Sequence, residues 1–154
     1  MAKFSVTSSY KIMDEGTYIF YIYQVEEDEE FGIIKVHYVT SDGQTIMERF
    51  TLKDKFGEDN EVALNMLSNL AILALGKEDD EEVDTAEFVG HYIQADVEHT
   101  EVESKKNPGK MITYANLRNK ASADGFDKEP NEKARKIIDK IKNDNSFLND
   151  LLGN

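Results

Sequence analysis

The sequence predicts a mainly β fold with a single helix set among the strands, and three observations carry that expectation. Apolar and aromatic residues recur at every second position in residues 16–25, 33–40, 44–52, 88–103 and 111–120, the period of a strand with one face in a core. Turn residues separate the strands, Ser41-Asp42-Gly43 in one place and Asn107-Pro108-Gly109 in another. Only residues 61–75 switch to helical spacing before the last two strands. At 154 residues, with 40% hydrophobic residues and no Trp, the chain can build one core of ordinary size.

Residues 1–14 have no clean period and read as an arm leading into that core. The first strand, TYIFYIYQV, offers Tyr18, Phe20 and Ile22 on one side and Ile19, Tyr21, Tyr23 and Val25 on the other. It is either buried on both sides or offers an aromatic face to a ligand. The acidic run Glu26 to Glu30 ends it. In the second strand Ile34, Val36 and Tyr38 share a face opposite Lys35 and His37. The Asp-Gly turn that follows tolerates positive φ and closes a hairpin onto the third strand. That strand sets Met47 and Arg49 opposite Ile46, Glu48, Phe50 and Leu52, so Lys35, His37, Met47 and Arg49 are expected on one side of the sheet.

The helix over 61–75 has Asp59 or Asn60 available as its cap and Gly76 in the place of a left-handed terminator. Apolar residues lie all round it, which predicts a helix that plugs the core. The acidic stretch 77–84 is expected to be a solvated loop. Residues 88–120 then form a long hairpin, turning at Ser104 to Lys110 with three lysines at its tip. Residues 121–130 read as a linker. From 131 to 154 an amphipathic helical or flexible tail sets Ala134, Ile137, Ile138 and Ile141 on one stripe and ends in Phe147, Leu148, Leu151 and Leu152. This tail either docks on its own domain or recruits a partner, or a second copy of the chain, through Ile137, Ile138, Ile141, Phe147, Leu148, Leu151 and Leu152.

Three strands, a helix and two strands is the order of the OB-fold, a five-stranded Greek-key barrel whose ligand face lies on its second and third strands. The expected domain spans residues 1–120, with its core at about 16–120. An open α+β sheet covered by the helix uses the same elements, and spacing alone leaves both standing.

The net charge is −13 and it is polarised. Residues 1–100 carry 7 basic and 22 acidic side chains, whereas 101–154 carry 11 and 9. Acidic chains are poor general binders of nucleic acid, so any such activity must rest on a local cationic patch. There is no Cys, which excludes disulfides and thiolate sites, and no apolar run long enough to span a bilayer. With an N-terminus that lacks a signal-peptide pattern, the expectation is a cytoplasmic protein away from membranes.

The phrases MERFTL, LALG, EFVGHYIQADVEH and KMITYANLRNK, with the strand that ends before an acidic loop, resemble the phage-encoded single-stranded DNA-binding proteins of phage and prophage replication and recombination modules. The resemblance spans most of the chain. It implies an OB barrel, single-stranded DNA bound without strong sequence preference, a tail that recruits replication or recombination proteins, and residence in the host cytoplasm. The chain departs from that pattern in its acidic loop between the first two strands, its lack of Trp, and a tail without a continuous acidic tip.

Such a function needs cations for phosphates and aromatic faces for bases, each stacked base being worth roughly 1–3 kcal/mol. Tyr114, Asn116, Arg118 and Lys120 share a parity on the last strand, and Lys105, Lys106 and Lys110 stand at the hairpin tip. Together with Lys35, His37 and Arg49 and with Tyr21 or Tyr23, they are the expected nucleic-acid-binding residues, Arg49 and Arg118 foremost because an Arg fixed at mid-strand can pair a phosphate and stack on a base. No catalytic signature is present. His37, His91 and His99 do not make a metal site, no glycine loop cradles a phosphate, and no cofactor or metal is expected. The competing reading is an acidic protein-interaction module or a DNA mimic that inhibits a nucleic-acid enzyme.

Overall fold

A computed structural model of the chain describes residues 12–78 and 81–151, with side chains through Ile141. Its centre is the first strand, β1 (Gly16–Asp28), whose aromatic and β-branched run suits a strand packed on both faces. Residues 21–28 pair with β2 (Ile33–Val39), and residues 16–21 pair with β4 (Tyr92–Glu103). Strand β3 (Thr45–Thr51) continues from β2, and β5 (Met111–Ala123) continues from β4. The result is one antiparallel sheet in the order β3-β2-β1-β4-β5. Both hairpins fall where the turn residues put them. The closed barrel does not follow, because the ladder stops at β3 and β5 and leaves the sheet open. Strand β5 also runs to Ala123, taking the first residues expected of a linker.

One face of the sheet gathers Phe20, Ile22, Val36, Tyr38, Phe50, Ile93, Ala95, Val97 and Leu117, with Phe88 from a short 3-10 turn (Thr85–Phe88). Helix α1 (Glu61–Leu75) packs against this face. Asn60 caps it by accepting from the Ala63 N–H at 3.3 Å, and Gly76 ends it at φ +68°. It does not plug the core. Only Ala63, Leu70 and Ala71 are buried, while Val62, Met66 and Ile72 face solvent, so α1 covers the sheet as a half-sunk layer. Full burial of Leu70 contributes about 2 kcal/mol. The acidic stretch after α1 is gathered in part by Lys77, whose Nζ lies 3.2 Å from Glu87 and 3.8 Å from Glu81.

Helix α2 (Glu132–Leu151) lies on the opposite face. Its start is fixed by Asn131, whose side chain accepts from Ala134 N–H at 2.9 Å and donates to the Asp42 carbonyl at 2.8 Å, in the β2–β3 turn. Ala134 is fully buried there, and Ile137 and Ile138 pack with it against Tyr21 and Val39. The same turn requires Gly43. Its φ is +86°, and a Cβ would come within 2.8 Å of Lys133 on α2.

Two irregularities set side-chain direction. Tyr23 is the extra residue of a bulge between Ile22 and Gln24 in the β1–β2 ladder. In β5, Asn119 takes φ +52° where the β4–β5 register shifts between Gln94 and Asp96. Its amide donates to Asp96 at 2.8 Å, and Asp96 also accepts from the Thr17 hydroxyl at 2.6 Å. These bonds hold the Asp96 carboxyl below the usual carboxylate range, the Thr17 bond most.

Candidate nucleic-acid interface

The outer face of β2 and β3 is built by strand register. Lys35 stands opposite Arg49 and His37 opposite Met47, so the four residues grouped by sequence parity do share one surface. The hairpin turn creates this pairing. Thr40 N–H donates to the Gln44 carbonyl at 2.9 Å, and the Asp42 carboxylate accepts from Gln44 Nε2 at 2.9 Å and from the Thr40 hydroxyl.

At the Lys35–Arg49 end lies a hollow of about 560 Å³, lined by Asp28, Phe31, Ile33, Lys35, Arg49, Thr51, Lys53, Asp54 and Lys55. Four cations meet two carboxylates here. Lys53 is paired with Asp59, whereas Lys35, Arg49 and Lys55 make no ion pair among the described residues. Phe31 is 59% exposed at this rim, and Phe56, 77% exposed, carries the Lys55 ammonium 5.1 Å from its ring centre. The loop bearing Lys55 and Phe56 is held by Asp54, whose carboxylate accepts from Phe56 N–H at 2.8 Å and Glu58 N–H at 2.9 Å. Phe31, Lys53, Lys55 and Phe56 are absent from the sequence-derived set. They lie outside the regular strands; only convergence with Arg49 on one hollow marks Phe31, Lys53 and Lys55, and only the Lys55 ammonium over its ring marks Phe56.

The His37–Met47 end opens into a second groove of about 820 Å³, whose lining is Ile12, Met13, Tyr23, His37, Thr45, Ile46, Met47 and residues 112–115 of β5. Its character is apolar. The Tyr23 and His37 rings are 5.8 Å apart, and His37 Nε2 sits 3.5 Å from a Glu26 carboxylate oxygen with no hydrogen bond of its own among the described residues. Burial, and secondarily the Glu26 charge, raise the Tyr23 hydroxyl above its ordinary value. Tyr114, 51% exposed, is on the β5 side of this groove.

The remaining expected residues separate. Tyr21 is 6% exposed and lies away from both hollows: its ring meets Tyr92 at 5.1 Å and Phe126 at 6.4 Å beneath α2. Burial, then Tyr92 and Asp139, push its hydroxyl up. Lys120 is not a free cation either. The left-handed Asn119 breaks the parity with Tyr114 and Arg118 and turns Lys120 inward, where its Nζ bonds Glu48 at 2.7 Å and the side chain is 8% exposed. Lys105, Lys106, Lys110 and Arg118 are exposed, but none of them lines either hollow. Ile137 and Ile138, expected to meet a partner, instead cover their own domain, and Ile141 is half-buried on the same helix. The side chains of Phe147, Leu148 and Leu151 fall outside the described set, as does Leu152 entirely.

Among the described residues no group of three His, Cys, Asp or Glu side chains is placed to hold a metal ion, and no helix is long and apolar enough to cross a membrane. No protein-family model and no curated protein matches this sequence, so the functional reading rests on the chemistry of the site.

Proposed function

We propose that the protein binds single-stranded DNA on the outer face of β2 and β3, without strong sequence preference, as an accessory protein of phage DNA replication or recombination in the host cytoplasm. The observation that carries this reading is the in-register pair Lys35 and Arg49 beside Lys55 and the exposed ring of Phe31. Phosphates take the unpaired cations, and a base stacks on Phe31. This combination accepts any sequence, because every base has a π face. An OB-like barrel is the fold reading that goes with it, supported by the strand order β3-β2-β1-β4-β5, by α1 between β3 and β4, and by the Glu48–Lys120 contact that draws the two edge strands together.

Three cations on a single strand give a salt slope of about −2, so the dissociation constant should rise roughly 20-fold between 50 and 200 mM salt. Fluorescence anisotropy of a labelled oligo-thymidine strand, with a duplex control, reads this directly. Arg49→Glu is expected to weaken binding by about tenfold or more, and Phe31→Ala by about tenfold at any salt. No binding at low salt would overturn the proposal. The exposed carboxylates of residues 26–30, next to the same hollow, favour the second reading, an acidic module or DNA mimic. That protein would bind no DNA and would compete with DNA for a basic partner.

A further inference from the structure

A third hollow, of about 580 Å³, lies between the sheet and the first turns of α2. Its floor is aromatic. Tyr21 of β1, Tyr92 of β4 and Phe126 of the connection to α2 pack edge to face, with ring centres 5.1 Å apart for Tyr21 and Tyr92 and 5.1 Å for Tyr92 and Phe126. Pro130 and Ile138, both half-buried, extend the apolar wall, and charged side chains stand round the mouth. Aromatic walls with a few charged groups, enclosing a volume of this size, are the make-up of a ligand site.

Charge selects the ligand. Among the described residues Asp127, Glu129 and Asp139 face Lys128 and Arg135 round the hollow, and Arg135 is already engaged with Glu129 at 3.5 Å. The field reaches the floor. Burial first, then Tyr92 and Asp139, disfavour a phenolate at Tyr21, and a place that resists an anion favours a cation. The rings act in the same direction, since an aromatic quadrupole is negative over its face. A planar guanidinium suits the site better than a compact ammonium, because it stacks on a ring while its edge bonds a carboxylate.

We propose that this hollow binds an arginine side chain of a partner protein, with the guanidinium against the cluster of Tyr21, Tyr92 and Phe126 beside Asp139 and the apolar stem along Ile138. The inference does not depend on the DNA reading. A peptide fits better than a free guanidinium, because a smaller hollow of about 380 Å³ meets the first at Asp127 and Lys128. There Ser41 and Gln94 offer a hydroxyl and an amide to a peptide backbone, and Asp42 adds a carboxylate. A chain of net charge −13 also draws a basic partner from a distance.

NMR titration of the full chain at low salt, read at the Tyr21, Tyr92 and Phe126 rings, tests this with acetyl-Gly-Arg-Gly amide as the probe. Saturable ring shifts are expected, and the same peptide with norleucine in place of arginine should bind about tenfold more weakly or worse. Asp139 is exposed, so Asp139→Asn keeps the fold, and it should weaken the arginine peptide about three- to fivefold. Arg135→Gln removes a like charge and releases Glu129, and should tighten binding about twofold. Absent ring shifts, equal binding of the norleucine peptide or an unchanged affinity in Asp139→Asn would each overturn the proposal. Weaker binding in Arg135→Gln would do the same, since it would give the hollow to an anion. If n-propylguanidinium bound as tightly as the arginine peptide, the partner-protein source would fall in favour of a free guanidinium. Lys35 and Arg49 are intact in every variant, so oligo-thymidine binding on the same samples reports separately on the DNA reading.

Discussion

The two edge strands of the sheet are related in opposite ways at their two ends. At one end Glu48 of β3 receives Lys120 Nζ at 2.7 Å and the Tyr38 hydroxyl at 2.8 Å, a group with side-chain exposures of 8% for Lys120 and 13% for Glu48. At the other end Thr45, Ile46 and Met47 stand off from residues 112–115 across the apolar groove. The first arrangement closes the sheet with side chains where backbone pairing is absent. The second leaves the two strands parted by a groove among the described residues. A sheet can thus be held nearly shut by one buried polar triad and still present an open seam a few residues away.

The pinned end should dominate stability. Glu48→Ala removes the partner of a buried cation and of a buried hydroxyl at once, and chemical denaturation is expected to show a loss of about 3 kcal/mol. Tyr38→Phe keeps the ion pair and gives up one hydrogen bond to a charged acceptor, for a loss of about 1.5 kcal/mol. Burial, with the Glu48 charge and hydrogen bond behind it, holds the Tyr38 phenol well above its ordinary value, so it stays protonated through mild alkali. A Glu48→Ala loss below about 1 kcal/mol would show that the two ends differ in appearance only.

A smaller effect comes from the β2–β3 turn, which sets the register of the open end. The Thr40 hydroxyl, against a lesser push from burial, and then Gln44 hold the Asp42 carboxyl below the usual carboxylate range. A carboxyl depressed on folding contributes stability that is fully present above its unfolded-state value and is lost as pH falls through its own lower value. The stability gap between the wild type and Asp42→Ala should therefore be full at pH 6 and close in strong acid, where denaturation midpoints measured at pH 6 and pH 2.5 would reveal it. Exposure of this side chain keeps the gap modest. The smallest change is expected at the open seam, where Tyr114→Ala should shift stability by no more than about 0.5 kcal/mol, because the ring is half exposed. A larger shift there would mean that the seam carries packing not evident from Tyr114's exposure.

Local patterns in the sequence determined much of this protein. Period-2 alternation located five strands, Asn60 and Gly76 bounded α1 at Glu61–Leu75, and Asp-Gly and Pro-Gly located both hairpins. Parity across one hairpin was enough to bring Lys35, His37, Met47 and Arg49 together, because antiparallel register follows from the turn. Tertiary structure decided the rest. Tyr21 and Tyr23 are alike in sequence, but α2 covers Tyr21, and a helix about 110 residues away in the chain leaves no trace in the strand it will cover. Lys120 shares a parity with Arg118 until Asn119 takes a left-handed turn, an option open to any Asn and required of none. Closure of the sheet depends on the summed twist and bulges of five strands, and so on contacts between β3 and β5 that no local pattern encodes.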